Sequence, residues 1–393
     1  MHIQRRPEDF RIEELIEFPG ERGAYAYYRV EKCGVPTSAV KELLAKQLKV
    51  TPSALAFVAQ KPTVSVSIQY ASVRKRSAET FTGEHFSARR VQWGPRALRA
   101  KDLHANRYTL MLRNLHPNQA QALPAIADDV ARVGLPNYFD TRRFGSLSAE
   151  GFIGKAILTR DVEKLIRIYL SEPLRGDSRE MRQFKRLVKS HWGQWGYLLH
   201  QAPRPSNLRS VIIHLKDHPH DYQKAANLIH DNLLSGYLAA YQAWIWNHIL
   251  GRYLEQCGPV EHTIEIARER FPLITLPEGA REDLRAMTIE IPRLTARYEG
   301  PLETIAAAVL EAEGLTLRDF KTRILRRVYL TKGERATWFA PSELHLADPV
   351  TDTAYPGRQA VEMTFTLAPN HYATLIPKAM AARLHTRLRG RRA

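Results

Sequence analysis

Period-two alternation near both ends of the chain brackets a long middle stretch whose apolar residues recur every three to four positions. A helix cannot carry the first pattern and a strand cannot carry the second. Any sheet must therefore be assembled from two separated segments. Early in the chain, "AYAYYRVEK" (24–32) reads as a strand. So does the run from Val64, where Val64, Val66, Ile68 and Tyr70 alternate with Ser65, Ser67, Gln69 and Ala71. "RYTLMLRNL" (107–115) follows, with Tyr108, Leu110 and Leu112 on one side. Near the far end, "VEMTFTL" (361–367) sets Val361, Met363, Phe365 and Leu367 on one face.

Helical segments fill the gaps. In "GVPTSAVKELLAKQL", Thr37 reads as a cap, and Ala39, Val40, Leu43, Leu44 and Leu48 mark one face. Residues 116–134 read as a helix stopped by Gly134, with Pro136 beyond. The helical run 221–256 exceeds ordinary globular length and is expected to break near Ser235–Gly236. The order is mixed α/β, then largely helical, then strand-rich. Such an α+β chain suits a sheet domain interrupted by a helical insertion, its two halves pairing across the interruption.

Charge narrows the partner. The 393 residues carry a formal net charge of +17, which favours a polyanion through counterion release and long-range steering. No window of 18 apolar residues is present, so no spanning helix is expected. Cys33 and Cys257 have no paired spacing and fit a reducing, cytoplasmic setting. His214 and His218 stand four apart, but Pro219 follows them, and the region reads as a polar loop with a helix starting at Asp221. No metal site and no nucleotide-binding glycine loop is indicated.

Two stretches carry chemistry suited to RNA. "PNYFDTRRFG" (136–145) packs an amide, three aromatic rings and two arginines into ten residues. Asn137 suits a base edge, Tyr138 and Phe139 suit stacking or core packing with the two rings pointing different ways, and Arg142 and Arg143 match phosphate geometry. The alternative is a core segment with surface arginines. The run 88–108 holds Arg89, Arg90, Arg96, Arg99 and Lys101 around Trp93 and is a candidate RNA-backbone surface, with a turn expected at Gly94–Pro95. The basic C-terminus "RLHTRLRGRR" reads more simply as a charged chain end.

Words spread over nearly the whole chain resemble the TruD-type tRNA pseudouridine synthases. "PEDFRIEEL" (7–15) resembles that family's opening P-E-D-F-x-V-x-E, and residues 27–50 resemble its strand and first helix. "PNYFDTRRFG" is similar to P-N-Y-F-G-x-Q-R-F-G, with Asp140 in place of the Gly and Arg142 in place of the Gln. "YQAWIWNHILGRYL" (241–254), "GERATWFAP" (333–341) and "FTLAPNHYATLIPKAM" (365–380) resemble later words in the same order.

The resemblance implies a pseudouridine synthase catalytic fold with a mixed, mainly antiparallel sheet, split by a largely helical α+β insertion. The expected domains are 1–155 and 321–393 for the catalytic part and 156–320 for the insertion. It implies tRNA as partner and no metal or organic cofactor; of oligomeric states, which the residues do not specify, a monomer is favoured. The reaction breaks the C1′–N1 bond of a uridine, turns the uracil and joins C5 to C1′. The base has to leave its stack, and a carboxylate has to act at the ribose. The family places that Asp in A-G-x-K-D-x-x-A-V-T-x-Q, which falls on "VAQKPTVSVSIQ" (58–69). Lys61 keeps the Lys, Gln69 keeps the Gln, and the Asp position is Pro62.

Proline brings no ionisable group and no backbone N–H. The resemblance puts Lys61, Gln69, Asn106, Asn137, Phe139, Arg142 and Arg143 at the pocket, with Phe139 against the flipped base and Asn137 ordering the catalytic loop. Asp140 is a weak substitute for the carboxylate, and Asp102 is no better placed. The expectation is an RNA-binding homologue, with tRNA the first candidate, whose isomerisation is impaired or lost. The alternatives are an active synthase using a displaced carboxylate such as Asp140, and a protein-interaction scaffold that binds no RNA.

Overall fold

The computed structural model describes residues 1–3, 5–74, 79–276, 278–322, 325 and 327–390. Part of the basic C-terminal run, 391–393, lies outside them. The chain forms two compact units, one from Met1–Leu135 with Phe339–Ala393 and one from Pro136–Trp338.

The first unit is built on a ten-stranded sheet. Its early strands are β1 (Phe10–Ile16), β2 (Tyr25–Cys33), β3 (Ala56–Phe57), β4 (Val66–Arg74), β5 (Thr80–Gly83), β6 (Phe86–Gly94) and β7 (Leu103–Leu115). Three more come from the end of the chain, Ser342–Leu346, Val350–Thr351 and Gln359–Leu367. The last of these lies against β7, so the two ends of the chain do share one sheet. From there the order runs β7, β1, β4, β2, β6, β5, and only β1 with β4 is parallel. The architecture is thus α+β with a mixed, mainly antiparallel sheet.

Helices supply the apolar cover that a sheet of this width requires. Helix α1 (Thr37–Gln47) buries Val40, Leu44 and Ala45 among Tyr28, Val30, Ala71 and Val73. Helix α2 (Pro117–Val133) buries Leu123, Ile126 and Val130 and packs on the helix Leu375–Gly390. It ends at Gly134, whose φ of +79° is open to glycine without strain. At the Gly94–Pro95 turn a Cβ would come within 2.1 Å of the Tyr27 ring. Glycine there lets Tyr27 lie flat and donate its hydroxyl to the Arg96 carbonyl at 2.7 Å.

Three local readings change. The strand begins at Val66 rather than Val64, and Val64 is exposed. Residues 62–65 form a turn in which Ser65 donates its N–H to Thr63 O (3.0 Å) and its hydroxyl to Pro62 O (2.9 Å). Both faces of β4 are covered, so its alternation does not mark one wet side: Ser65, Ser67 and Gln69 are all buried. Thr37 is the first helical residue rather than the cap, and its hydroxyl turns inward to Gln69.

In the second unit the long helix Asp231–Cys257 runs unbroken through Ser235–Gly236. The break falls earlier, at 227–230, where His230 Nδ1 accepts the Asn232 N–H. Gly236 has open space around it, so nothing forces a kink there. From Leu238 to Gly251 most of this helix is buried, Tyr241, Ile245, Trp246 and Leu250 among the residues, and it serves as the unit's axis. A hairpin (Val260–Ile266 with Glu269–Ile274) packs on it.

Candidate functional site

In the sheet unit, the turn that precedes β4 is tied to its surroundings by buried polar groups. Glu14 on β1 and Asn106 on β7 are cross-strand partners. Lys61 reaches over both, donating to Asn106 Oδ1 at 2.5 Å and standing 3.1 Å from Glu14 Oε1. The other Glu14 oxygen accepts the Tyr70 N–H at 2.8 Å. Glu14 is fully buried and Lys61 nearly so. Burial pushes the Glu14 carboxyl up and the Lys61 amine down, each opposed by the charge of the other. Removing either alone would strand the other in a dry site.

A second set of bonds fixes the backbone. Gln69 Nε2 donates to Ala59 O (2.7 Å), and Gln69 Oε1 accepts the Thr37 hydroxyl (2.9 Å). Thr37 Oγ1 in turn accepts the Lys61 N–H at 3.2 Å. Gln69 is therefore a backbone brace within the sheet, with its side-chain amide occupied.

Lys32 on β2 completes the turn. Its ammonium donates to Pro62 O and Val35 O, each at 2.8 Å, and the residue is 1% exposed. Burial lowers its pKa to about 8, with nearby Lys61 acting in the same direction. A neutral amine still has two N–H groups for these two carbonyls, so the turn keeps its anchor after deprotonation. The folded value lies below the unfolded value. Between about pH 8 and 10.5 the unfolded chain thus holds a proton that the folded chain has released. Across that window the stability of the wild-type chain minus that of Lys32→Met should rise with pH, read as urea midpoints at both ends. A flat difference would mean that Lys32 stays charged when folded.

The second constellation lies within the other unit. Asn137 Nδ2 donates to Ala336 O (3.0 Å), while Arg335 donates to Asn137 Oδ1 (2.6 Å) and to Asn137 O (2.8 Å). The Asn137 amide is thus occupied by its own unit. Phe139 is held through its backbone, with Asn247 Oδ1 accepting its N–H and Asn247 Nδ2 donating to its carbonyl, both at 2.8 Å. Its ring meets Trp246 edge-on at 5.4 Å. The guanidinium carbons of Arg335 and Arg143 lie 4.2 and 5.7 Å from its centroid. Tyr138 turns the other way, onto Phe271, and donates its hydroxyl to Pro272 O.

Asp140 is buried and caps the short turn Thr141–Phe144, accepting the Thr141 N–H at 2.7 Å. Arg142 and Arg143 are half-buried in that turn, and Arg143 Nε is buried with no hydrogen-bond partner among the described residues.

The basic run divides by function. Arg96 grips Asp102 through both of its terminal nitrogens, at 2.8 and 2.6 Å, and this pair holds the Asp102 carboxyl below its ordinary value despite burial. Arg90 pairs with Glu79 at 2.9 Å and lies over Trp93. Arg89, Arg99 and Lys101 are exposed. The histidine region shows His214 Nε2 3.1 Å from Asp221 Oδ2, and Asp221 caps the helix that follows it.

The structure therefore brings Lys61 onto both Asn106 and Glu14, and sets Arg335 against Asn137 and the Phe139 ring, which Arg143 also faces. Glu14, Lys32, Asn247 and Arg335 were not singled out in the sequence, and Thr37 was read there only as a helix cap. Glu14, Asn247 and Arg335 do sit inside the words at 7–15, 241–254 and 333–341.

Comparison with known proteins agrees with those words. A family model described as tRNA pseudouridine synthase D (TruD) matches residues 1–269. A probable tRNA pseudouridine synthase D 2 of Methanocaldococcus jannaschii is 25% identical over 404 residues, spanning 100% of this chain and 94% of its own length. The tRNA pseudouridine synthase D of Aquifex aeolicus is 24% identical over 391 residues, spanning 96% and 97%. A crystal structure from Methanosarcina mazei, assigned to tRNA pseudouridine synthase D (TruD), superposes with a TM-score of 0.71 at 22% identity, covering 97% of this chain and 93% of that one.

Proposed function

We propose, because the chain belongs to the TruD family of tRNA pseudouridine synthases, that it binds tRNA or a similarly structured RNA while turning over uridine poorly or not at all. The observation that carries this reading is Pro62, which stands where the resemblance puts the family's catalytic Asp. The turn around it offers no carboxylate in exchange. Glu14, joined to the turn through Lys61, is fully buried and committed to Lys61 and the Tyr70 N–H. Asp140 is committed as a cap. A carboxylate misplaced by about 1 Å already costs on the order of 100-fold.

Binding rests on separate features. The net charge of +17 favours a polyanion, and the exposed Arg89, Arg99 and Lys101 offer phosphate contacts within the sheet unit. A reducing, cytoplasmic setting belongs to the same proposal.

The test pairs two measurements on the wild-type chain. Unmodified tRNA should bind with an affinity that falls steeply as salt rises, and tritium release from labelled uridine should stay at background. Release that Asp140→Asn abolishes would replace this reading with that of an active synthase. Absence of tRNA binding at low salt would replace it with that of a protein scaffold.

A further inference from the structure

The basic stretch after residue 175 has no role in either constellation described above, and the fold gives it a definite face. Ser178 caps the helix Arg179–Ser190, its hydroxyl accepting the Met181 N–H at 3.1 Å. Phe184, Lys185 and Val188 point inward. The opposite face presents Arg179, Arg182 and Arg186, spaced three and four apart, all exposed. The three arginines line one recess of about 500 Å³ with Gln183 and Asp177.

That recess is cationic in effect as well as in composition. Among the described residues Asp177 is the one acid lining it, and its Oδ2 already takes Lys185 Nζ at 2.9 Å and the Leu174 N–H at 2.7 Å. The next basic residue along the helix, Lys189, is paired with Glu172 at 2.6 Å. None of the three lining arginines makes an ion pair with a described residue. Three exposed guanidinium groups are thus left together on one helical face, with the one acid beside them already paired.

We infer that this arginine face is a second RNA-backbone contact, carried by the inserted unit. The inference rests on the reading of the chain as an RNA binder and locates part of that binding. Guanidinium forks match phosphate oxygens in pairs. From Arg179 to Arg186 the helix rises about 10 Å, the span of roughly three phosphates at ~3.4 Å of axis each. The helix then leads into a ring that suits an unstacked base. Tyr197 is 43% exposed and lies 5.1 Å from His191, centroid to centroid. Trp192 is half-buried, already covered by the Arg167 guanidinium at 4.6 Å and set 4.9 Å from Trp195, so Tyr197 is the ring that suits a base. Cations leading into aromatic faces fit RNA better than a lipid surface, which would call for exposed aliphatic side chains beside the charge.

The test replaces Arg179, Arg182 and Arg186 together with Gln in the full chain. All three are exposed and helix-compatible, so the thermal midpoint and circular dichroism should be unchanged. Affinity for unmodified tRNA should fall at least ~10-fold at low salt, and the slope of log K against log salt should shrink by about 2 to 3. A triple Arg→Lys variant should keep the wild-type slope, because it keeps the charge. Wild-type tRNA affinity and slope in the Gln variant would overturn the inference and leave the RNA-binding reading standing. Loss of binding to phosphatidylglycerol vesicles with tRNA binding intact would reassign the face to a membrane. No tRNA binding by the wild-type chain would remove the RNA-binding reading, and this inference with it.

Discussion

Replacing Pro62 with Asp is expected to raise uridine isomerisation at least ~100-fold above the wild-type chain, the lower end of what a positioned acid or base contributes. The backbone around residue 62 is held by bonds that do not depend on its side chain. Lys32 and Ser65 both donate to the residue 62 carbonyl, Lys61 N donates to Thr37, and Gln69 holds Ala59 O. An Asp side chain would thus be added to a turn already fixed. Losing the proline ring frees the unfolded chain and costs about 0.4–1 kcal/mol, too little to unfold a domain of this size. The readout is tritium release per enzyme, with tRNA affinity and thermal midpoint measured alongside. A variant that folds and binds tRNA like the wild type yet stays silent would show that the other departures from the family's words, Asp140 and Arg142, matter as well. Turnover already present in the wild type would remove the premise.

Which parts of this arrangement could be read from the residues follows from what leaves a periodic trace. The strands Tyr25–Cys33, Leu103–Leu115 and Gln359–Leu367 were legible because their apolar residues face a helix-covered core, and α2 was legible because Gly134 stops it. Val64 was misplaced because a Val beside alternating serines looks like a strand until Pro62 and Ser65 close a turn. Ser235–Gly236 looked like a break because glycine disfavours helices, but the packing of Leu234, Leu238 and Tyr241 outweighs a cost of about 1 kcal/mol. Buried polar side chains leave no such trace. Lys32 and Glu14 sit in strands where charge suggests an outward face, and their burial is set by partners 30 and 47 residues away, at Pro62 and Lys61. Asn247 stands in an apolar helix, and only the fold shows that its amide holds Phe139 across 108 residues of sequence. The chemical words were visible in the sequence; the atoms that hold them in place were not.

The largest loss of stability is expected from Arg113→Ala. Arg113 on β7 donates from Nε (3.0 Å) and Nη2 (2.7 Å) to Asp9 Oδ1, and from Nη1 to Asp352 Oδ1 (2.9 Å). The other oxygens are also used: Asp9 Oδ2 takes the Arg5 and Arg6 N–H groups, and Asp352 Oδ2 takes the Asn114 N–H. One guanidinium thus pins the start of the chain and the 350s loop to the middle of the sheet. Both aspartates have side chains at most 2% exposed. Burial alone would raise their pKa values, but Arg113 and the backbone donors overcome it and hold both below the ordinary carboxylate value. Their contribution is therefore complete above the unfolded pKa and lost as pH falls through the depressed folded values. Without Arg113 two carboxylates remain buried with their main cation gone, and breaking such a cluster costs about 3–5 kcal/mol at neutral pH. The sign of the acid response then reverses, because protonation now relieves the variant. Urea unfolding at pH 7 and pH 4 should show a wide gap between wild type and variant that narrows on acidification. A gap under about 1 kcal/mol at pH 7, or one that does not change with pH, would mean that the two aspartates are satisfied by backbone N–H groups alone and that Arg113 is dispensable to the sheet.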